Sequence, residues 1–512
     1  MKKREPYSQL SDFTDAKLVE DVAREVLVNR FCWVKELGWM KWTGQRWEEA
    51  GEDDVIEAVR GWVKEKHLEF AQLLAIGKAD DTVVKRWIGI MSAGRISSLA
   101  KLARGIEVLK AKAADFDAQP DLLNVANGVI DLRTGQLSHH APEYKMAKLA
   151  PVAYRPGARH ADWNKALEAV PEDVRDWYQV RMGQAITGYM TPDDEMIVQL
   201  GGGANGKTTV TGAIKKTLGD YAVTVSNKVV LSDPKDNCPE KMVLRGARFA
   251  LIEETPQARR LSVNMLKDNV GTPTMRGRAL YKAEVEWEAS HSLFLSTNYD
   301  LIIEETDIGT WRRLSLMKFP YTFKKQYEGL ISDMHKRGEE GLRARLTLGE
   351  PNAAHQAVLS WLVDGALMWY RLNKVMPRPP QRIADDTHHW RTNSDSCLAY
   401  INDRLVFEPG AHVKASDLTA DVNQWLVDHA HRPWSDVLVA SRFGSHPEFT
   451  QREVIKKKVK ASDRLSRRPM RVAAWSGALE YTAVMPIAPP TGPESAPEPT
   501  TYMAWIGVSF RT

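Results

Sequence analysis

The chain has 512 residues, 43% hydrophobic and 27% charged, and its 70 basic and 66 acidic side chains leave a net charge of only +4. That length and apolar content fit several domains with sizeable cores, and the near-balanced charge names no partner, so the places where basic residues cluster matter more than their total. Cys32, Cys238 and Cys397 lie far apart without a Cys-x-x-Cys pair, which argues against a disulfide framework or structural zinc and suits a reducing cytoplasm.

The first residues, MKKREPYSQLSDFTDAKL, carry basic residues but no apolar run behind them, so no signal peptide is expected. No segment reaches bilayer-spanning length, and a soluble, intracellular protein without a membrane partner is expected. From about Asp15 to Lys112 the apolar spacing predicts helices, interrupted by a hairpin around Thr43-Gly44. LLNVANGVIDLRTGQLSHH predicts a small β element punctuated at Asn127-Gly128 and Thr134-Gly135. A helical stretch, VRDWYQVRMGQAITGYM, comes next.

From residue 195 to about 320 strand-like runs alternate with helices, the pattern of a three-layer α/β core. AAHQAVLSWLVDGALMWYRL predicts an amphipathic helix closing it, and the three prolines of NKVMPRPPQRI predict a linker. His388-His389 near Asp385-Asp386 lacks a completing ligand set and reads as a surface cluster. Beyond it, VKASDLTADVNQWLVDHAHRPW predicts two short helices. REVIKKKVKASDRLSRRPMRV carries nine basic residues against two acidic and predicts a basic helix followed by strands, a DNA-contacting pattern. PIAPPTGPESAPEP predicts a loop, and YMAWIGVSF a strand returning from it.

The chemistry concentrates after the apolar run MIVQL. Gly201, Gly202, Gly203, Ala204, Asn205, Gly206, Lys207, Thr208 and Thr209 fit G-x-x-x-x-G-K-[ST] and are followed by a helix. Such a loop wraps backbone N–H groups round phosphates, Lys207 reaches the β- and γ-phosphates, and Thr208 offers its hydroxyl to Mg²⁺. RFALIEET predicts a buried strand ending in Glu253-Glu254, where one carboxylate can serve the metal shell and the other polarise water. A further strand, SLFLSTN, ends at Asn298, an amide able to orient water or sense a phosphate. Arg312-Arg313 in GTWRRL offers planar cations suited to phosphoryl-transfer charge.

In this order the motifs GGGANGKTT, RFALIEET, LYK within TMRGRALYKAEVEW, FLSTN and GTWRRLSLMKFP resemble those of superfamily 3 helicases, and most of all the phage, plasmid and poxvirus-type primase-helicase family. The resemblance covers roughly residues 20 to 375. It implies an AAA+-type P-loop ATPase core, a helical N-terminal region and a winged-helix-like C-terminal domain. The boundaries follow as 1–115 helical, 116–190 β element and collar, 191–375 ATPase core, 376–392 linker and 393–512 winged helix.

Carried over residue by residue, the resemblance implies Lys207 on nucleotide, Thr208 and Glu253 on Mg²⁺, Glu254 on water and Asn298 as sensor. Arg312 or Arg313 would act on a neighbouring subunit's ATP. Lys282 matches the hairpin that grips single-stranded DNA, and Arg276, Arg278 and Lys282 flank Tyr281 there. Gly271-Thr272-Pro273 departs from the family's usual Gly-Gly-Asp, which leaves the hairpin register open. The implied function is ATP-dependent DNA unwinding by a homo-hexamer on single-stranded and forked DNA, with a separate primase, polymerase or initiator as partner. The location is the bacterial host cytoplasm if a phage or plasmid encodes the chain. Only about a hundred largely helical residues precede the helicase-associated region, so primer synthesis is not expected. The rival readings are a replication initiator or switch that uses ATP only for assembly, and another P-loop NTPase such as a kinase.

Overall fold

The computed structural model describes residues 7, 9–231, 239–253, 261–278, 285–299, 301, 303, 308–429, 431–460 and 501–511. Over these the chain is a multidomain protein of mixed α/β structure.

The first region opens with α1 (Asp15–Val22), capped where Thr14 accepts the Lys17 N–H. Strands β1 (Phe31–Val34), β2 (Gly38–Trp42) and β3 (Trp47–Ala50) form an antiparallel meander. Its second turn falls at Thr43-Gly44, where Gly44 adopts a φ of +95°. Helices α2 (Glu52–Ala75), α3 (Asp81–Ile90) and α4 (Ala93–Ala103) follow, and β4 (Lys110–Ala111) joins β1 in parallel. The helical core closes round Trp87, whose ring meets those of Tyr7, Phe13 and Trp62 at 5.0, 5.6 and 5.5 Å.

The second region begins with the antiparallel strands β5 (Leu122–Val125), β6 (Gly128–Asp131) and β7 (Gln136–Ser138). Helices α5 (Ala161–Leu167) and α6 (Glu172–Gln184) lead from them to β8 (Met196–Leu200). Then come α7 (Lys207–Leu218), β9 (Ala222–Val225), α8 (Lys228–Leu231), β10 (Phe249–Glu253) and α9 (Val263–Val270). The antiparallel pair β11 (Thr274–Gly277) and β12 (Val285–Glu288) precedes β13 (Ser292–Thr297), α10 (Ile308–Trp311) and β14 (Leu314–Lys318). A parallel pair, β15 (Thr322–Lys324) and β16 (His335–Arg337), is followed by α11 (Leu342–Thr347), α12 (Ala353–Arg371) and α13 (Gln381–Ser394).

Five of these strands make one all-parallel sheet in the order β14-β8-β13-β10-β9. β8, β10, β13 and β14 are mostly apolar and buried because both faces are covered, whereas edge strand β9 is largely accessible. On one face Phe249, Leu251 and Phe294 join Val210, Ile214 and Leu359 in a core that also takes in Leu123, Ile130 and Trp163. The β5–β7 sheet and helices α5 and α6 therefore share one core with the central sheet, and no gap in packing marks residue 190. On the other face Ala250, Ile252 and Leu295 pack with Leu266, Trp311 and Trp390. Helices α6 and α12 approach closely at Gly183 and Gly365, where a Cβ on Gly365 would lie 2.1 Å from the Gln179 carbonyl oxygen. Buried Arg181 anchors the entry to β8, its guanidinium donating to Asp193 at 2.8 and 2.6 Å and to Glu195 at 3.1 Å.

The linker expected at 376–392 is a correction. Prolines occupy its first part, but Pro380 is the N-cap of α13, and that helix is part of the second region. Ile383, Thr387 and Trp390 fall on one face at helical spacing. Ile383 and Trp390 enter the two central cores, the Thr387 hydroxyl accepts the Leu316 N–H at 2.9 Å, and Asp386 pairs with Lys318 at 2.8 Å. Proline is compatible with the start of a helix, so three prolines mark an entry here.

The third region holds α14 (Ser396–Arg404), β17 (Leu405–Lys414), α15 (Ala415–Asp428), α16 (Asp436–Ser445), α17 (Pro447–Thr450), β18 (Ile455–Lys460) and β19 (Thr501–Phe510). Its sheet is antiparallel in the order β17-β19-β18. Two expectations change here. The segment read as two short helices begins with one 14-residue helix, α15, held by Leu418, Val422, Trp425 and Leu426. The basic run read as a helix starts as strand β18, because β19, far away in sequence, supplies its hydrogen-bond partners. The proline-rich loop and most of that basic run lie outside the described residues.

Candidate functional site

The end of β8 turns into α7 through residues 201–206. Ala204 sits in the left-handed region at φ +56° and Gly206 at φ +85°, the first a strained position for a residue with a Cβ. Two neighbours hold that shape. The Phe323 N–H on β15 donates to the Ala204 carbonyl at 2.8 Å, and a Cβ on Gly206 would meet Ala169 at 2.6 Å and the Phe323 ring at 3.3 Å. Gly201 is equally confined, its absent Cβ lying 2.2 Å from the Asn205 amide, whereas Gly202 and Gly203 face open space. Buried Asn205 accepts the Lys207 N–H through Oδ1 at 3.2 Å, and its buried Nδ2 has no partner among the described residues.

Lys207, the first residue of α7, is only 3% exposed. Its ammonium donates to the Gly201 carbonyl, to the Thr297 carbonyl at 3.0 Å and to Asn298 Oδ1 at 2.9 Å. Burial pushes its pKa down to about 8. Asn298 stands just past β13, the strand between β8 and β10, so the sheet order brings these two sequence-read residues together. Thr208 is exposed and Thr209 half-buried on the first turn of α7.

Glu253 ends β10, and its Oε1 lies 3.2 Å from Lys215 Nζ on α7. Lys215 also donates to the Thr224 hydroxyl at 2.5 Å. Sequence reading missed Lys215, although the signal was present: it stands seven residues after Thr208, two helical turns along the same face. Glu254 lies outside the described residues.

The two arginines separate. Arg313 is tied into its own chain, donating to the Gly309 carbonyl at 2.6 Å and packing 3.1 Å from where a Gly271 Cβ would stand. Arg312, beside it, is exposed. The antiparallel β11–β12 ladder pairs Arg276 with Glu286, and their side chains meet at 2.8 Å. Arg278 is exposed at the end of that ladder, whereas Tyr281 and Lys282 lie outside the described residues.

Fold and loop together define a multidomain α/β protein whose central parallel sheet carries a glycine-rich strand-to-helix loop with a buried lysine at its base. Residues 21–171 match the protein family described as D5 N terminal like. The chain is 26% identical over 329 residues to a protein of African swine fever virus named "Putative primase", covering 60% of this chain and 34% of that one. A protein of Acanthamoeba polyphaga mimivirus named "Putative helicase" is 24% identical over 324 residues, covering 61% and 33%. The fowlpox virus protein named primase D5 is 21% identical over 292 residues, covering 53% and 36%. The chain thus spans about a third of the length of the curated relatives it matches. Among solved structures, the apo C-terminal region of NrS-1 is 12% identical, covers 87% of this chain and 96% of its own, and superposes with a TM-score of 0.44. The chain is thus similar to viral proteins named as primases and helicases, and over residues 21–171 to the D5 N terminal like family. Among the described residues no helix is long and apolar enough to cross a membrane.

Proposed function

We propose that the chain is an ATP-dependent DNA helicase of phage- or plasmid-type replication, working as a homo-hexameric ring on single-stranded and forked DNA. The observation that carries this reading is Lys207, buried at the base of the strained loop with its ammonium on three oxygens, one of them from Asn298. Those carbonyl and amide oxygens are the kind of acceptor that β- and γ-phosphate oxygens would supply in their place. The Nδ2 of buried Asn205, without a partner among the described residues, is a second donor within the loop. Both features fit a nucleoside triphosphate.

An AAA+-type core is supported by the sheet order, which sets the Asn298 strand between the loop strand and the Glu253 strand. Backbone N–H groups of the loop and the positive end of α7 would hold the phosphates. Thr208 and Glu253 offer the oxygen ligands Mg²⁺ prefers, and the ion would withdraw charge from the phosphate oxygens. Glu254 keeps the water-polarising role read from the sequence. Arg312, exposed where Arg313 is not, is the finger for a neighbouring copy's ATP. Arg276 and Arg278, at the β11–β12 ladder, would touch the DNA strand in the ring, together with Lys282 as read from the sequence. The third region, helix–strand–helix–helix–helix–strand–strand in order, supports a winged helix. A separate primase, polymerase or initiator would supply the remaining replication steps.

Strand displacement on forked DNA, run beside ATP hydrolysis, tests the proposal. Wild type should do both, Lys207→Ala neither, and Lys282→Ala should hydrolyse ATP at the basal rate while unwinding little. ATP binding without unwinding by wild type would return the chain to an assembly switch.

A further inference from the structure

The third region carries two surfaces that nucleic acid could use, and they differ in chemistry. Helix α16 begins with Asp436 and exposes Val437 and Leu438, 80% and 37% exposed. Its basic residue, Arg442, is engaged over the Trp434 ring at 4.3 Å. That helix surface offers phosphate little.

Strand β18 is the opposite. It pairs with β19 on one side and is the sheet's edge among the described residues, and Lys456, Lys457 and Lys458 are all exposed along it. Alternation along a strand sends Lys456 and Lys458 to one face and Lys457 to the other, so the edge is cationic on both sides. The cross-strand register adds a fourth charge, because Lys457 and Lys414 flank Ala504 in one row.

We infer that the third region binds duplex DNA by its phosphate backbone along the β18 edge, with α16 turned away from the bases. Single-stranded sites combine cations with open aromatic faces on which bases stack. Here the rings beside the lysines are not open: Trp505 is buried, and Tyr502 lies under the Lys414 ammonium at 4.4 Å. Cations without a stacking face suit a duplex backbone, and contact confined to phosphate carries no sequence preference. The competing role for edge lysines is to block strand-to-strand association between copies. This inference depends on DNA being the partner and not on the ATP site.

The test uses the full-length chain without nucleotide and labelled DNA of two unrelated sequences, each as duplex and as single strand. Binding anisotropy is followed across a salt series. Lys456→Ala/Lys457→Ala/Lys458→Ala should weaken duplex binding about tenfold or more at 0.1 M salt. It should lower the log–log salt slope by about 2 to 3, equally for both sequences. Arginine at the three positions should restore both, and Val437→Ser/Leu438→Ser should change neither. Single-strand binding should fall much less. An unchanged duplex slope, with light scattering showing that the triple-alanine chain self-associates, would make the lysines an edge guard and overturn the inference. So would a larger loss for single strands, or sequence-selective loss in the α16 variant. Lys207→Ala should bind duplex like wild type, so a failure of the ATP-site proposal would be seen separately.

Discussion

Lys215 Nζ on α7 stands 3.2 Å from Glu253 Oε1, the carboxylate read as a metal ligand, and is held there by the Thr224 hydroxyl. Both side chains are partly exposed, so the pair is exchangeable. A divalent ion at Glu253 would have to displace or share with Lys215. Lys215→Met should therefore lower the Mg²⁺ concentration needed for nucleotide binding several-fold, while Lys215→Arg stays near wild type. A Mg²⁺ titration with a fluorescent nucleotide reads this directly, and equal midpoints for Met and wild type would remove Lys215 from the metal site.

Lys207 gives a pH dependence with a definite sign. Burial lowers its pKa to about 8, so the ammonium is protonated below that pH and loses its proton above it. Phosphate favours the charged form and raises the pKa on binding. Nucleotide affinity should therefore be flat below pH 8 and fall by up to about tenfold per unit above it. Calorimetry at pH 8.5 in buffers of different ionisation enthalpy should show proton uptake on binding. Proton release would contradict the assignment.

Arg312 and Arg313 should fail differently. Removing Arg313 deprives the Gly309 carbonyl of its donor and opens the contact at Gly271, a loss of about 1 to 3 kcal/mol that thermal melting would register. Arg312→Ala should melt like wild type yet lose turnover. Mixing it with Lys207→Ala should recover some activity once subunits exchange, because some interfaces then pair an intact loop with an intact arginine. No recovery despite proven exchange would end the role of Arg312 in a shared site.

The position of α13 predicts where the chain can be cut. Ending it after Leu372 removes Ile383 and Trp390 from the central cores, and Trp390→Ala alone should cost about 3 to 5 kcal/mol. A chain ending after Ser394 should keep the wild-type melting behaviour of the second region. Differential scanning calorimetry of both truncations decides the point, and equal stability would mean that α13 is dispensable to that core.

Much of the candidate site was legible locally. The glycine spacing before Lys207, the apolar runs of β8, β10 and β13, and the turns at Thr43-Gly44 and Asn127-Gly128 follow from short-range rules: backbone freedom where φ is positive, and continuous apolar strands where both faces are buried. What lies far apart in sequence needed the tertiary structure. That Lys207 reaches Asn298 depends on β13 lying beside β8, and that Lys215 meets Glu253 depends on α7 packing across β10. Arg312 and Arg313 are identical in type and adjacent in sequence, and the Gly309 hydrogen bond and Gly271 contact of Arg313 separate them. The lysines of β18 are helix-compatible residues that become a strand because β19 supplies hydrogen bonds no local pattern can announce. Local propensity sets what each segment tolerates, and the long-range partner decides which tolerated state is formed.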